Sequence, residues 1–258
     1  MPIFRYAGDL RPLDRGPDIL AIGDSWHWYP ENNLLNVVDQ YCPGTFTYCV
    51  GANGAEAVQL SGGRYLQDVQ SALEYASIRV VLISAGGNDF AGMDDFAAIL
   101  KSDCSNCKSP EECFAIDEPR DLFNDVMKAY ETLITTILAK RPDAIVLLHA
   151  YDYAVPDGRT FHGLSGQWLK VPMDNCRVPF PGLWTPDSFR RKLVKQLIDE
   201  LAKRHQQLAA TFGNQVRFID TRGVLADDEW ANELHPTREG FTRLGKMHFA
   251  PAVNTALT

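Results

Sequence analysis

The chain has 258 residues, with 25 basic against 33 acidic side chains and a net charge of -8. Hydrophobic residues make up 45% and charged residues 22%, the balance of a globular protein and not of a disordered one. The acidic surplus argues against nonspecific binding to nucleic acid or anionic membranes. No apolar run approaches the ~20 residues of a membrane span. The first residues, MPIFRYAGDLRPLDRG, lack the apolar stretch of a signal peptide, so the sequence reads as a soluble chain.

Five short apolar runs read as strands: DILAIG at 18–23, FTYCV at 46–50, RVVLISA at 79–85, AIVLLHA at 144–150, and a fifth at 215–219. They are aliphatic and apolar on both faces, the pattern of parallel strands covered on both sides. Helical patterns lie between them. The first, 64–77, puts Leu66, Val69, Leu73 and Ala76 on one face. The second, 120–140, carries a stripe of Leu122, Val126, Leu133, Ile134, Ile137 and Leu138, and Pro142 stops it. The third, 186–212, takes Thr185 as N-cap, Pro186 at its first position and Asp187 in its first turn. Its stripe is Phe189, Leu193, Leu197 and Leu201, and Gly213 caps its end. A last helix covers about 238–251.

This alternation predicts one α/β domain over 1–258, a three-layer α/β/α sandwich on a five-stranded parallel sheet. Two stretches interrupt it: residues 101–119, rich in Cys, and residues 152–185, rich in Pro and aromatics. They follow the third and fourth strands, so they border the crevice at the carboxyl ends of the sheet, where ligands bind.

Four motifs fall at that same edge. Strand one ends in Gly23-Asp24-Ser25, which puts a serine at a helix N-terminus where negative charge is stabilised. VGANGAEA follows strand two, with Gly51 and Gly54 permitting a tight turn. AGGND follows strand three and brings Asn88. NELHPT precedes the last helix, and Pro236 holds His235 out of the α region. Taken singly, each also reads as ordinary structure: a capping serine, turn residues, a packed histidine. Together they supply a nucleophile, oxyanion donors and a base, the parts an acyl-transfer site requires.

In these four blocks the chain resembles the SGNH hydrolases, the GDSL esterase/lipase family. GDS at 23–25, the turn at Gly54, GGND at 86–89 and His-Pro at 235–236 occur in the family's order over nearly the whole chain, with GDSW in place of GDSL. The resemblance implies the flavodoxin-like sandwich of that family. It also implies hydrolysis of carboxylic esters, of esterase or lipase type, through an acyl-serine intermediate and without a cofactor. The substrate would be a small-molecule, lipid or carbohydrate ester. Ser25 would attack the carbonyl, and His235 would take its proton and return it to the leaving alcohol. The N–H groups of Ser25 and Gly54 and the amide of Asn88 would hold the oxyanion. Two other readings stand beside it: removal of acetyl groups from carbohydrate, and a catalytically weak ligand-binding protein that keeps the fold.

The second of these readings rests on a departure from the pattern. Where the family places Asp, three residues before the histidine, this chain has Asn232. An aspartate only accepts hydrogen bonds, whereas an amide also donates and can favour the wrong imidazole tautomer. Three outcomes follow: Asn232 presents its oxygen, a carboxylate from elsewhere replaces the aspartate, or catalysis is poor. Asp152, just past the fourth strand, is the first candidate replacement, ahead of Glu233 and Asp220.

Trp26, His27, Trp28, Tyr29 and Pro30 follow the serine, and the second insertion adds Tyr151, Tyr153, Phe161, Trp168, Phe180 and Trp184. Trp26 and Trp28 are the candidate substrate contacts, and the insertion is a candidate lid. Of the other histidines, His149, His162, His205 and His248 read as packing or surface residues, with His27 open because it lies two positions from Ser25. The run Cys104-Ser-Asn-Cys107, with Cys113 and Cys176, resembles part of a zinc knuckle but has no regular second pair, so no metal is expected; disulfides across the insertions are the favoured reading, with reduced packed thiols beside it. Disulfides would place the chain in an oxidising compartment, secreted or periplasmic, and free thiols in the cytoplasm. Cys42 and Cys49 read as buried thiols or as a pair.

Overall fold

The computed structural model describes residues 3–5, 15–29, 32–115, 118–160, 167–180, 182 and 185–258. Pro30, Phe161, His162 and Trp184 lie outside the described residues. Strands β1 (Ile3–Phe4), β2 (Ile19–Gly23), β3 (Thr47–Gly51), β4 (Val80–Ser84), β5 (Ile145–His149) and β6 (Val216–Ile219) form a sheet in the order β1-β3-β2-β4-β5-β6. Every neighbouring pair is parallel. Among the described residues no helix is long and apolar enough to cross a membrane.

The five longer strands coincide with the expected runs to within about two residues. Strands β2 and β4 are buried at every position, as their uninterrupted apolar character requires. The sixth strand corrects the expected five. β1 has two residues, pairs only with Thr47 and Tyr48 at the sheet edge, and is too short to carry a periodic signal.

Three helix boundaries also differ from expectation. The first long helix is Gly63–Ala72, and turns follow it, which leaves Ala76 exposed. The third is Phe189–Phe212 with Ser188 as N-cap. Ahead of it the Ser188 N–H donates to the Thr185 carbonyl at 2.9 Å, so Thr185, Pro186 and Asp187 form a separate turn. The last helix, from Arg238, runs through a π-helical stretch, Gly245–Phe249, and on to Leu257. The expected stripes of Glu118–Lys140 and Phe189–Phe212 do face the core: Val126, Leu133, Ile134, Ile137, Leu193, Leu197 and Leu201 are buried.

The register sets the active edge. Gly23 pairs with Gly51 on one side and with Ser84 on the other, so β2, β3 and β4 end level. Gly51 has φ +147°, and a Cβ there would lie 1.8 Å from the Gly23 carbonyl oxygen, so only glycine permits this approach. From β2 the chain moves to β3 on one side, and from β4 to β5 on the other. The crevice opens where those directions part.

Candidate active site

Past β2 the chain turns at Asp24 into a one-turn helix, Ser25–Trp28. Asp24 builds that turn. Its carboxylate accepts the Trp26 N–H at 3.0 Å, the Ser84 hydroxyl at 3.0 Å and the Tyr151 hydroxyl at 2.5 Å. Burial nevertheless pushes the Asp24 carboxyl up to about 6. The outcome of the turn is the position of Ser25: its Oγ lies 2.8 Å from His235 Nε2, across 210 positions of sequence.

The loop that carries His235 is shaped by Asn232, which is fully buried. Asn232 Oδ1 accepts the N–H groups of Leu234 at 3.0 Å and of His235 at 2.9 Å. Two main-chain donors fix the oxygen, not the amide nitrogen, on this side. The same oxygen lies 2.9 Å from His235 Nδ1. Nδ1 therefore carries the proton, and Nε2 presents a lone pair to Ser25. The Tyr29 ring stacks on the imidazole at 4.3 Å and 12°, and Trp168 meets it edge-on at 5.9 Å. Asn232 Nδ2 reaches the Tyr29 hydroxyl at 3.4 Å. Burial pulls the imidazole down to about 4, so the ring is neutral at pH 7.

Gly54 and Asn88 meet at the mouth of the crevice. Gly54 takes φ +77° in its turn, and the Ala55 carbonyl that follows accepts one hydrogen of Asn88 Nδ2 at 3.0 Å. The other amide hydrogen is left for a ligand. Asp89 locks the same loop by accepting the Ala57 N–H at 2.9 Å. The N–H groups of Ser25 and Gly54 donate to no acceptor among the described residues. Ser25 and Asn88 share the lining of one cavity.

A cavity of about 650 Å³, counting its open mouth, runs from Ser25 and Asn88 into the apolar interior. Phe90, Phe96, Leu169, Leu197 and Leu201 are among its walls. Leu197 and Leu201 belong to the stripe of the Phe189–Phe212 helix, which doubles as cavity wall.

Several expected residues lie elsewhere. Asp152 does not orient His235. Its two oxygens accept the N–H groups of Tyr153, Gly223, Val224 and Leu225 at 2.5–2.8 Å, so the charge shapes its own loop and the one after β6. Glu233 points away from position 232 and accepts the N–H groups of Gly158, Leu169 and Lys170, which staples the second insertion; burial raises its carboxyl to about 7. Asp220 pairs with Arg222 at 2.6 Å. Trp26 lines the cavity and donates its indole N–H to the Leu234 carbonyl at 3.0 Å, whereas Trp28 does not line it and packs under Arg5 instead. His27 is fully buried, and burial pulls its imidazole down to about 3, so the ring is neutral at pH 7. His149 Nδ1 faces the Ala150 carbonyl and His205 Nδ1 the His149 carbonyl, both as packed rings. All six cysteines are free. In the sequence Asp24, Tyr29 and Trp168 had no role of their own, and Leu169 was not singled out. Their long-range contacts join segments sixty residues or more apart, which no local pattern marks.

A sequence model described as the GDSL-like Lipase/Acylhydrolase family matches residues 21–243. A search by sequence among curated proteins finds no significant match. Among solved structures, an extracellular lipase from Streptomyces rimosus aligns with TM-score 0.55 at 18% identity, over 93% of this chain and 100% of that one. The lipase Lip_vut3 from a goat rumen metagenome aligns with TM-score 0.56 at 14% identity, over 92% and 96%. Est24, a carbohydrate acetylesterase from Sinorhizobium meliloti, aligns with TM-score 0.54 at 15% identity, over 94% and 99%. At such identities the likeness to these structures is one of fold.

Proposed function

Since the chain belongs to the GDSL-like lipase/acylhydrolase family, we propose that it hydrolyses carboxylic esters through an acyl-serine intermediate on Ser25. The observation that carries this reading is the 2.8 Å contact between Ser25 Oγ and His235 Nε2, made with the imidazole proton fixed on Nδ1. As Oγ attacks the ester carbonyl, its proton passes to Nε2. The carbonyl oxygen gains negative charge and receives hydrogen bonds from the N–H groups of Ser25 and Gly54 and from Asn88 Nδ2. His235 then protonates the alkoxy oxygen, and the alcohol leaves. Water, deprotonated by the same nitrogen, attacks the acyl group and frees Ser25.

The cavity walls favour an acyl chain over a sugar. Phe90, Phe96, Leu169 and Leu197 offer apolar contact to a hydrocarbon and no set of hydrogen bonds to a ring of hydroxyls. Esters with acyl groups longer than acetyl are therefore the expected substrates, and acetylated carbohydrate the weaker ones. The neutral amide at Asn232 favours a slower enzyme, because it does not offset the charge that His235 acquires.

A fluorophosphonate probe and a series of p-nitrophenyl esters test the proposal together. We expect the probe on Ser25 alone, and turnover that falls by about 10²-fold or more in Ser25→Ala, toward the order of 10⁶-fold if Asn232 limits the reaction little. A folded protein that neither takes the probe nor turns over any ester, or that takes it at another residue, defeats the proposal. Labelling at Ser25 without turnover of these esters argues against the ligand-binding reading and points to a bulkier native ester or another acyl acceptor.

A further inference from the structure

Two of the six cysteines belong to the core. Cys49 is buried inside β3, and Cys42, which ends the Leu34–Tyr41 helix, turns its thiol toward the Ala250 carbonyl. The other four lie in the two insertions, and there they converge. The Sγ atoms of Cys104, Cys107 and Cys113 all lie within 4.8 Å of one another. The Cys107 N–H donates to the Cys104 carbonyl at 2.9 Å, closing a tight turn between the first two. The short Pro110–Cys113 helix brings the third back to them.

Cys176 arrives from the second insertion. Its carbonyl accepts the Cys104 N–H at 2.8 Å, a main-chain contact that brings the second insertion against the first, with the Cys176 thiol outside the 4.8 Å group of the other three. The approach is built on both flanks. Cys176 ends the Lys170–Asn175 helix, and Arg177 beyond it takes φ +53°, the one positive φ outside glycine among the described residues. That turn is held by the Arg177 N–H on the Asp174 carbonyl and the Val178 N–H on the Met173 carbonyl, as in a helix-ending left-handed turn. Arg177 also pairs with Asp103, next to Cys104. Cys104, Cys113 and Cys176 are all buried.

We infer that Cys104, Cys107, Cys113 and Cys176 form a structural zinc site that fastens the two insertions together. A disulfide joins two sulfurs, but here three meet at one point. Zinc takes four ligands as a tetrahedron with Zn–S of ~2.3 Å, which puts the sulfurs about 3.8 Å apart, so the three thiols need to close by no more than about 1 Å. Four thiolates fill the coordination sphere and leave no open position for chemistry. On binding Zn2+ the four thiols release four protons to solvent, and the centre carries charge -2. The ligands bind as thiolates, so uptake weakens as pH falls. The site stands behind the cavity. The Met93–Ala98 helix, which carries Phe96, packs against the Lys170–Asn175 helix, and both Phe96 and Leu169 are cavity walls.

Protein purified under reducing conditions without chelator is expected to hold one zinc per chain by elemental analysis. Replacement with Co2+ should give thiolate-to-cobalt charge-transfer bands and the intense visible bands of a tetrahedral centre. Cys176→Ser should retain cobalt with about a quarter of the charge-transfer intensity lost, and Cys104→Ser should lose zinc, while Cys42→Ser keeps both metal and spectrum. If the cluster variants do not fold, the wild-type protein decides. After chelation its melting temperature should drop and return with Zn2+ but not with Mg2+. Zinc well below one per chain with no cobalt spectrum overturns the inference. So does peptide mapping of protein purified without reductant that finds disulfides among these four residues. No readout uses ester hydrolysis, so failure here leaves the proposal for Ser25 standing, and the reverse.

Discussion

Asp152 and Asn232 stand in loops at the same edge of the sheet and do similar local work with unlike partners. Each gathers main-chain N–H groups onto one side chain: Asp152 takes four, and Asn232 takes those of Leu234 and His235. The carboxylate meets only N–H groups, while the neutral amide meets the imidazole. Shaping a loop needs lone pairs, which either group has. Stabilising an imidazolium needs charge, which only the carboxylate has. The comparison separates two roles that a single aspartate beside a histidine would combine. It also explains why burial alone sets His235 near 4.

Moving the charge is the strongest way to sharpen that contrast. Asn232→Asp keeps both N–H acceptors and adds the missing countercharge. Turnover of p-nitrophenyl esters should rise, by as much as ~10⁴-fold if the amide is as limiting as in a serine-protease triad. The pH profile should move with it. A base must be unprotonated, so kcat/KM of the wild type falls as pH drops through about 4 and is flat above. With an opposite charge beside it the imidazole pKa rises, and the acid limb moves to higher pH. A rate that does not rise, with an acid limb that does not move, would show that residue 232 has no electrostatic hold on His235.

Removing the proposed oxyanion donor Asn88 ranks next. Asn88→Ala should lower kcat by about 10²- to 10³-fold with little change in KM. The loop itself should survive, because Asp89 still holds the Ala57 N–H. Unchanged kcat would remove Asn88 from the reaction.

The sequence made the first of these comparisons visible and hid the second half of it. Strands β2 to β6 were legible because burial on both faces leaves an unbroken apolar run. Ser25, Gly54, Asn88 and His235 were legible because each sits at a strand end or beside a proline, where few residue types fit. Asn232 was legible as a departure, but its orientation was not. That depends on two N–H groups whose direction is set by the folded loop. Asp152 looked like a substitute acid because it is a carboxylate on the correct edge. The Gly223–Leu225 N–H groups that claim it lie some seventy positions away. Tyr29 and Trp168 clamp the imidazole from two segments that no periodicity connects.

Asp152→Asn tests the other side of the pair. One acceptor oxygen is replaced by a donor that faces N–H groups, so about 3 kcal/mol of stability should be lost. Thermal melting should register this as a drop of several degrees. The acid limb should stay where it is, because this charge does not face His235. An acid limb that moved with Asp152 would collapse the distinction between the two loops.

The smallest effect belongs to Trp28, and its neighbour Trp26 gives it meaning. The two indoles are two residues apart on a one-turn helix, so they leave it in different directions. Trp26 reaches the cavity and the Leu234 carbonyl beside His235, while Trp28 lies under the Arg5 guanidinium at 4.7 Å. Trp28→Phe should therefore leave kcat and KM within about twofold and lower stability by ~0.5–1 kcal/mol, the worth of a weakened cation–π contact. Trp26→Phe removes the bond to Leu234 and reshapes the cavity wall, so KM should rise and kcat fall together. If Trp28→Phe changed KM for long-chain esters as much as Trp26→Phe does, substrate would have to extend over the β1 side of the sheet. The acyl group would then not be confined to the apolar cavity behind Ser25.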